Sequence, residues 1–383
     1  MRLCARPSST SSSPLLIQEW ELERVLLLCR RLYNTALEQR ITAWQRCHVS
    51  VSRYQQEAEL KEIRAESSEY AAIHSHVLQD VLARLDKTSQ AFFRRVQRGE
   101  KAGFPRFKGR DRFHSVTYKE YGNGARLDNS FLVLAKIGRL AVRWSRPLEG
   151  APKTVSIARE ADGWYACFSC EGVPLQPLPA TGQETGIDLG LESFATLADG
   201  SQIANPRIFR VAEMNLKRTP RRVSRRKKGS HRRRKAVGLL AKAHQTVRRA
   251  RRDFHHKTAL ALVRQYDTIS HEALQPANMV KNHSLAKSIA DAGWGAFLSI
   301  LSFKAAEAGK MVVAVPPAST SQVCSGCGAL VQKGLSVRWH QCPDCGTSLH
   351  RDHNAARNIL RFGQSGLGQS PQALTWAAGP SVA

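Results

Sequence analysis

The chain has 383 residues, 42% of them hydrophobic, and carries 58 Lys plus Arg against 31 Asp plus Glu, for a formal charge of +27. That size and apolar content supply hydrophobic cores for about two or three domains and exclude a disordered polyelectrolyte. The charge excess points to a polyanion, nucleic acid before a membrane surface: no apolar run reaches the roughly 18–20 residues that span a bilayer, and the start Met1-Arg-Leu-Cys-Ala-Arg-Pro lacks the apolar stretch of a signal peptide.

Residues 1–18 are Ser-rich and poorly patterned. From about Glu19 a helical rhythm runs through Trp20, Leu22, Val25, Leu26, Cys29, Leu32, Tyr33, Ala36 and Leu37. A second helix is predicted over about Glu57–Glu66 and a third over about Ser75–Gln97, the latter carrying Val77, Val81, Leu82, Leu85, Phe92 and Phe93. The loop that follows mixes Gly and Pro with Phe104, Arg106, Phe107, Lys108 and Arg110. Cations beside flat rings suit phosphate contact plus base stacking. Between Ser115 and Cys170 the apolar period changes to two, in short runs split by turns, and this predicts a small β-barrel. The Pro-rich stretch from Gly172 to Gly182 reads as a linker.

Two strand-like runs follow, the first carrying Asp188, and Asp199-Gly200 at their end reads as a hairpin turn. An acid inside an apolar strand is costly to bury unless it binds something charged, and Gly186 and Gly190 leave room beside it. From Lys217 to Arg252 the chain holds no acid, but includes Arg225-Arg226-Lys227-Lys228 and Arg232-Arg233, with Gly229-Ser230 dividing two helices. Like charge at this density opposes helix formation until polyphosphate neutralises it. A strand, Thr268-Ile-Ser-His-Glu, brings Glu272; helices over about Ser284–Asp291 and Trp294–Ala308 and a buried strand at Met311-Val-Val-Ala-Val come next.

Cys324-x-x-Cys327 and Cys342-x-x-Cys345, each followed by a glycine (Gly328, Gly346), have the spacing of a structural zinc ribbon or knuckle that closes the coordination shell with four thiolates. Nine cysteines, an odd number with one metal-type cluster, fit a reducing compartment. Asp352 comes seven residues past Cys345, at the head of an Ala-rich helical segment. After about Phe362 the tail, rich in Gly, Ser, Gln and Pro, reads as disordered.

Asp188, Glu272 and Asp352 are spaced 84 and 80 residues apart, each on or beside an apolar element. The order strand with Asp, hairpin, helix, strand with Glu, helices, strand, helix with Asp is that of an RNase H-like nuclease core. Carboxylates are the ligands Mg²⁺ prefers, and two such ions serve phosphodiester hydrolysis.

Gly186-Ile-Asp-Leu-Gly, His271-Glu-Ala-Leu, Ala292-Gly-Trp, Thr320-Ser-Gln-Val-Cys-Ser-Gly-Cys-Gly, Cys342-Pro-Asp-Cys-Gly and Arg351-Asp-His-Asn-Ala-Ala-Arg-Asn-Ile together resemble the TnpB family, transposon-encoded relatives of the type V CRISPR effectors. Tyr33-Asn34, Gly103-Phe-Pro-Arg-Phe-Lys and Lys136-Ile-Gly extend the resemblance more weakly, so that it covers about residues 25–362. It implies a multidomain α+β protein. The start of a wedge domain would lie at 1–18, a helical recognition lobe at 19–112, the wedge β-barrel at 113–172 and a linker at 173–184. A RuvC-type core at 185–323 and 346–362 would enclose the finger at 324–345, ahead of a disordered tail at 363–383. It implies an RNA-guided DNA endonuclease with Asp188, Glu272 and Asp352 on two Mg²⁺ ions, and one structural zinc on the four cysteines. The partners implied are a guide RNA and double-stranded target DNA, in a ribonucleoprotein with one protein chain, cytoplasmic and nucleoid-associated in a prokaryote. Protein then reads shape, backbone and a short flanking motif, while base pairing reads sequence. Arg338 matches a finger arginine that family members place near the scissile phosphate. The opening residues match poorly the strand with which the family begins, which leaves the first wedge strand without a sequence signal. A compact CRISPR effector, a strand-transfer transposase, a guided repressor and a zinc-ribbon DNA-binding subunit are the alternatives.

Overall fold

A computed structural model of the chain describes residues 2–7, 14–144, 147–334 and 336–366. The chain divides between Pro174 and Leu175 into two compact units. The Ser-rich residues 8–13 and most of the predicted tail, 367–383, lie outside the described residues.

The first unit contains strand β1 (Arg2–Pro7), helices α1 (Pro14–Cys47), α2 (Arg53–Glu66), α3 (Ser68–Ala71) and α4 (Ser75–Gln97), then strands β2 (Ser115–Tyr118), β3 (Ala125–Asp128), β4 (Phe131–Leu134), β5 (Gly138–Arg143), β6 (Ala151–Glu160) and β7 (Gly163–Glu171). Helix α2 begins ahead of its apolar pattern because Ser52 and Gln55 form a reciprocal capping box, which satisfies donors at the first turn. The stripe Leu22, Val25, Leu26, Cys29, Leu32, Tyr33 of α1 and the stripe Val77, Leu78, Val81, Leu82, Leu85 of α4 are buried, and they share one core with Val116, Tyr118, Leu132, Val155, Ile157 and Phe168 of the sheet. Arg84 on α4 reinforces the junction by donating to the carbonyl and hydroxyl of Ser115 and to the hydroxyl of Thr117 on β2.

The strands pair in the order β2-β6-β7-β1-β5-β4-β3. The expected barrel is therefore an open sheet in its pairing: β2 and β3 are its ends, and no pairing among the described residues joins them. Strand β1, which had no signal in the sequence, sits at its middle. Residues Arg2–Ala5 pair with β7 and Arg6–Pro7 with β5, so one short strand links two halves. Its place is set by backbone pairing on both sides, which overrides weak local propensity.

The second unit contains β8 (Glu184–Asp188), β9 (Ser193–Leu197), β10 (Gln202–Ala204), α5 (Ile208–Ser224), α6 (His231–Gln265), β11 (Thr268–Glu272), α7 (Pro276–Met279), α8 (His283–Ala292), α9 (Trp294–Glu307), β12 (Met311–Val315), β13 (Trp339–Gln341), β14 (Ser348–His350) and α10 (Arg351–Gln364). The main sheet runs β10-β9-β8-β11-β12, with β8, β11 and β12 parallel and β9 and β10 an antiparallel hairpin extension. The middles of β8 and β11 are buried throughout, as expected for parallel strands covered on both faces. One layer of that cover is aromatic: Phe194, Phe254, His255 and Phe297 meet ring to ring, with Phe194 at 4.9 Å from both Phe254 and Phe297. Helix α10 lies against β8 and β11 and continues through Gln364, two residues into the predicted tail.

The linker ahead of β8 is tied to this unit. The Asp267 carboxylate accepts from the backbone N–H groups of Thr181 and Gly182 and pairs with buried Lys310. Those partners, Lys310 foremost, hold the Asp267 carboxyl well below its ordinary value.

Candidate active site and metal centre

Asp188 and Glu272 are the last residues of two neighbouring parallel strands, in register with His271 opposite Ile187. Both acids thus leave the sheet at the carboxyl end, the edge where open α/β sheets bind ligands. Asp352 arrives from elsewhere, in the first turn of α10. Its place depends on how closely α10 can approach the sheet, and two glycines decide that. A Cβ on Gly186 would lie 2.2 Å from the Ala356 carbonyl oxygen and 2.5 Å from the Leu360 nitrogen. A Cβ on Gly363 would lie 1.9 Å from the Ser270 hydroxyl. With hydrogen at both positions the helix seats on the strands, and Asp352 comes to the end of β8, its Oδ2 only 3.8 Å from where a Cβ on Gly190 would be.

The three carboxylates form one electrostatic cluster. Burial pushes the Asp188 carboxyl well above the usual range, and Glu272 and Asp352 push it further; Arg351 opposes them. Burial also raises Glu272, against a hydrogen bond from the Thr320 hydroxyl and the charge of Arg351. A cation would relieve both the desolvation and the like-charge repulsion, so this donor set fits hard divalent ions. Among the described residues, the four cysteines form the one group of three or more potential metal ligands whose ligand atoms all lie within 4.8 Å of one another.

The finger's thiols are gathered at a single point. Cys324 and Cys345 sulfurs are 3.6 Å apart, as are those of Cys327 and Cys342. Tetrahedral zinc with bonds of about 2.3 Å needs sulfurs roughly 3.8 Å apart, so the set fits one zinc. Burial resists ionisation of Cys324, but the backbone N–H groups of Cys327 and Gly326 and the nearby His340 ring outweigh it and bring the thiol down to about 5. The antiparallel pair β13–β14 closes the finger and runs directly into α10. Zinc removal by a chelator is expected to lower the melting temperature by roughly 5–10 °C, because a structural zinc carries folding free energy. Calorimetry with metal analysis checks this; unchanged melting in a chain without zinc would exclude the finger.

The remaining predicted residues fall into three groups. Arg338 is exposed, lies 3.7 Å from Glu192, and with Arg207 and Arg210 lines a cleft of about 260 Å³ that also contains Asn205, Ser288 and Asp291. Arg106 is exposed on the loop after α4, where Phe104 packs against Phe92 with ring centroids 5.2 Å apart. The Lys108 backbone is held there, its N–H donating to Asn34 at 2.7 Å and its carbonyl accepting from Asn34 at 3.0 Å, so the Tyr33-Asn34 motif anchors the loop. Arg225, Arg226, Lys227, Lys228 and Arg232 are exposed at the turn between α5 and α6. Arg233 differs: its guanidinium donates to the Val223 and Arg226 carbonyls and staples that turn.

Four residues of the site were not singled out by sequence reasoning: Thr320, Asn354, Asn358 and Arg351. Thr320 donates to Glu272. Asn354 and Asn358 are fully buried on α10 and bond the segment just before and after Cys324. Arg351 donates to Ser321 and Gly334. They stood within the quoted motifs, and the usable signal was polar residues at helical spacing on an otherwise apolar face.

Comparison with known proteins places the chain among relatives. A family described as "Probable transposase" matches residues 160–283, and one described as "Cas12f1-like, TNB domain" matches residues 294–359. A Streptomyces pristinaespiralis protein named "Putative RNA-guided DNA endonuclease" is 38% identical over 355 residues, covering 90% of this chain and 86% of its own length. The Escherichia coli K12 protein of the same description, InsQ, is 30% identical over 91% of this chain and 90% of its own length. Among solved structures, a cryo-EM Cas12f1–sgRNA–target DNA complex matches with TM-score 0.57 and 14% identity over 90% of this chain and 82% of that one. A structure of the mini RNA-guided endonuclease CRISPR-Cas phi3 matches with TM-score 0.50 and 11% identity over 95% and 92%. At those identities the likeness is one of fold. No helix among the described residues is long and apolar enough to cross a membrane.

Proposed function

Because this chain belongs to the TnpB family of RNA-guided DNA endonucleases, we propose that it binds a guide RNA, recognises a short motif beside its target and hydrolyses target DNA at Asp188, Glu272 and Asp352. The observation that carries the site is the convergence of three carboxylates, two from adjacent parallel strand ends and one from the head of a helix, in a desolvated cluster. We read the β10-β9-β8-β11-β12 sheet with α10 across it as an RNase H-like, RuvC-type core.

When bound, two Mg²⁺ ions would activate a water and stabilise the leaving oxygen of the phosphodiester. The protein's own part is to hold their ligands. Asp188 and Glu272 are fixed by the strand register, and the Thr320 hydroxyl orients Glu272. Asp352 sits at the amino end of a 14-residue helix, where the helix dipole favours a carboxylate. Ile187 and Leu189, the sequence neighbours of Asp188, are buried, which anchors the end of the strand that presents Asp188.

The acid-free run carried by α5 and α6 is the surface we assign to guide RNA or heteroduplex. Reversal of Arg225, Arg226, Lys227 and Lys228 to Glu is expected to weaken RNA binding and to flatten its salt dependence. Every phosphate that no longer meets a cation takes about 0.7–0.9 off the slope of log K against log salt. A slope equal to that of the unaltered chain would show that this turn does not touch phosphate.

The protein would act as one chain in a ribonucleoprotein, at the nucleoid of a prokaryotic cell where its target lies. Sequencing the RNA that co-purifies from cells carrying the native locus tests the whole reading. A discrete RNA ending at a transposon boundary supports it. A repeat–spacer RNA would move the chain to the CRISPR effectors, and no specific RNA would favour an unguided nuclease or strand-transfer transposase.

A further inference from the structure

We propose that the segment from Thr320 to Ser325 couples the four-cysteine finger to the acid cluster, with Thr320 as a positioning residue for Glu272, so that zinc occupancy sets the divalent-ion affinity of the acids. This rests on reading the acids as a divalent-ion site.

The hydrogen bonds form a continuous path. Cys324 lies between Val323 and Ser325, and both neighbours are clamped to α10. The Val323 carbonyl accepts from Asn354 at 2.7 Å and from Asn358 at 2.6 Å, and the Ser325 N–H donates to the Asn354 side-chain oxygen at 2.9 Å. Asn358 also donates to the Thr320 carbonyl at 2.9 Å. The Thr320 side chain then donates to Oε1 of Glu272. Asn354 and Asn358 are 0% exposed and Thr320 is 2% exposed, so water cannot replace these partners without opening the structure.

The same helix that carries Asp352 therefore holds the first knuckle of the finger, and that knuckle's flank holds Glu272. A second tie runs from the far side of the finger: the Arg351 backbone N–H donates to the Arg338 carbonyl, and its guanidinium to Gly334 and Ser321. Buried asparagines that only satisfied a loop would have no reason to end on a carboxylate. Here the path ends on one of the three acids, through a hydroxyl that donates to Oε1 of Glu272. Loss of zinc frees Cys324, loosens Val323 and Ser325, and releases Thr320. Residues that orient a metal ligand in this way typically govern affinity by about 10–100-fold. Coupling is reciprocal, so divalent ions at the acids should also tighten zinc.

The test uses the full-length, zinc-loaded chain freed of nucleic acid and Mn²⁺ as the probe, with free Mn²⁺ read by electron paramagnetic resonance. Binding present in the unaltered chain and lost in Asp188→Ala defines the acid-cluster sites. Thr320→Val, which keeps the branched shape and removes the hydroxyl, is expected to weaken that binding about tenfold or more while retaining its zinc; Thr320→Ser restores it to within about threefold. Equal Mn²⁺ affinity in Thr320→Val and the unaltered chain overturns the proposal. A second measurement needs no variant: zinc affinity of the unaltered chain with and without saturating Mn²⁺ should differ by about tenfold, and equal affinities also overturn it. If the unaltered chain takes up no more Mn²⁺ than Asp188→Ala, the divalent reading itself fails and the coupling fails with it.

Discussion

Asp188→Ala and Glu272→Ala are each expected to lower guided DNA cleavage by at least about a thousandfold, roughly 4 kcal/mol of transition-state stabilisation, while RNA binding stays unchanged. The two carboxylates end adjacent parallel strands, so each substitution would remove a ligand from the same proposed site. The basic turn at Arg225–Lys228 is a separate surface on the α5–α6 hairpin, and neither substitution alters it. The structure adds a sign for stability. Burial and two neighbouring acids disfavour the charged form of Asp188, so in metal-free protein Asp188→Ala should melt at the same temperature as the unaltered chain or higher. Cleavage assays with the co-purified RNA, paired with thermal melts, check both parts. Normal cutting by either variant would sink the site assignment, and a large loss of stability would mean that the acids serve the fold.

Gly186→Ala should be among the most damaging single-methyl changes in the chain. The added carbon would fall 2.2 Å from one backbone atom of α10 and 2.5 Å from another, and backbone cannot rotate away as a side chain can. Helix α10 must lift from β8, which breaks its packing, moves Asp352 and strains the Asn354 and Asn358 bonds. Overpacking against backbone costs about 3 kcal/mol or more, a fall of roughly 6–12 °C in melting temperature for a unit of this size, with cleavage lost in parallel. Gly238→Ala provides the contrast. It lies in α6 with nothing within 4 Å of the new carbon, so the change should be neutral or stabilising by up to about 1 kcal/mol. Equal melting of Gly186→Ala and the unaltered chain would show that α10 does not sit on β8.

Local chemistry explains which features are legible in the sequence. Two Cys-x-x-Cys pairs with turn glycines specify a thiolate cluster because each pair closes within a few residues. The stripe of α1, the alternation in β6 and β7 and the apolar middles of β8 and β11 are likewise set by neighbours in sequence. Other features have no local signal. Strand β1 owes its place to pairing with β5 and β7, strands more than a hundred residues away, which no pattern in Arg2–Pro7 announces. Arg233 looks like one more cation in a basic run, yet its guanidinium caps the carbonyls of its own turn. The expected barrel shows no pairing between its end strands among the described residues, and strand alternation encodes which face is buried, not which edges meet.

Residue type and short-range spacing thus suffice to specify the four-cysteine knuckles, the basic hairpin and the identity of three acids in apolar surroundings. That the acids meet is a property of the folded chain. They are 84 and 80 residues apart, and their convergence depends on the register of β8 with β11 and on two glycines that let α10 close on the sheet. Folding likewise brings Thr320 to Glu272 and Asn354 to the first knuckle, since a hydrogen bond between distant residues leaves no periodicity to read.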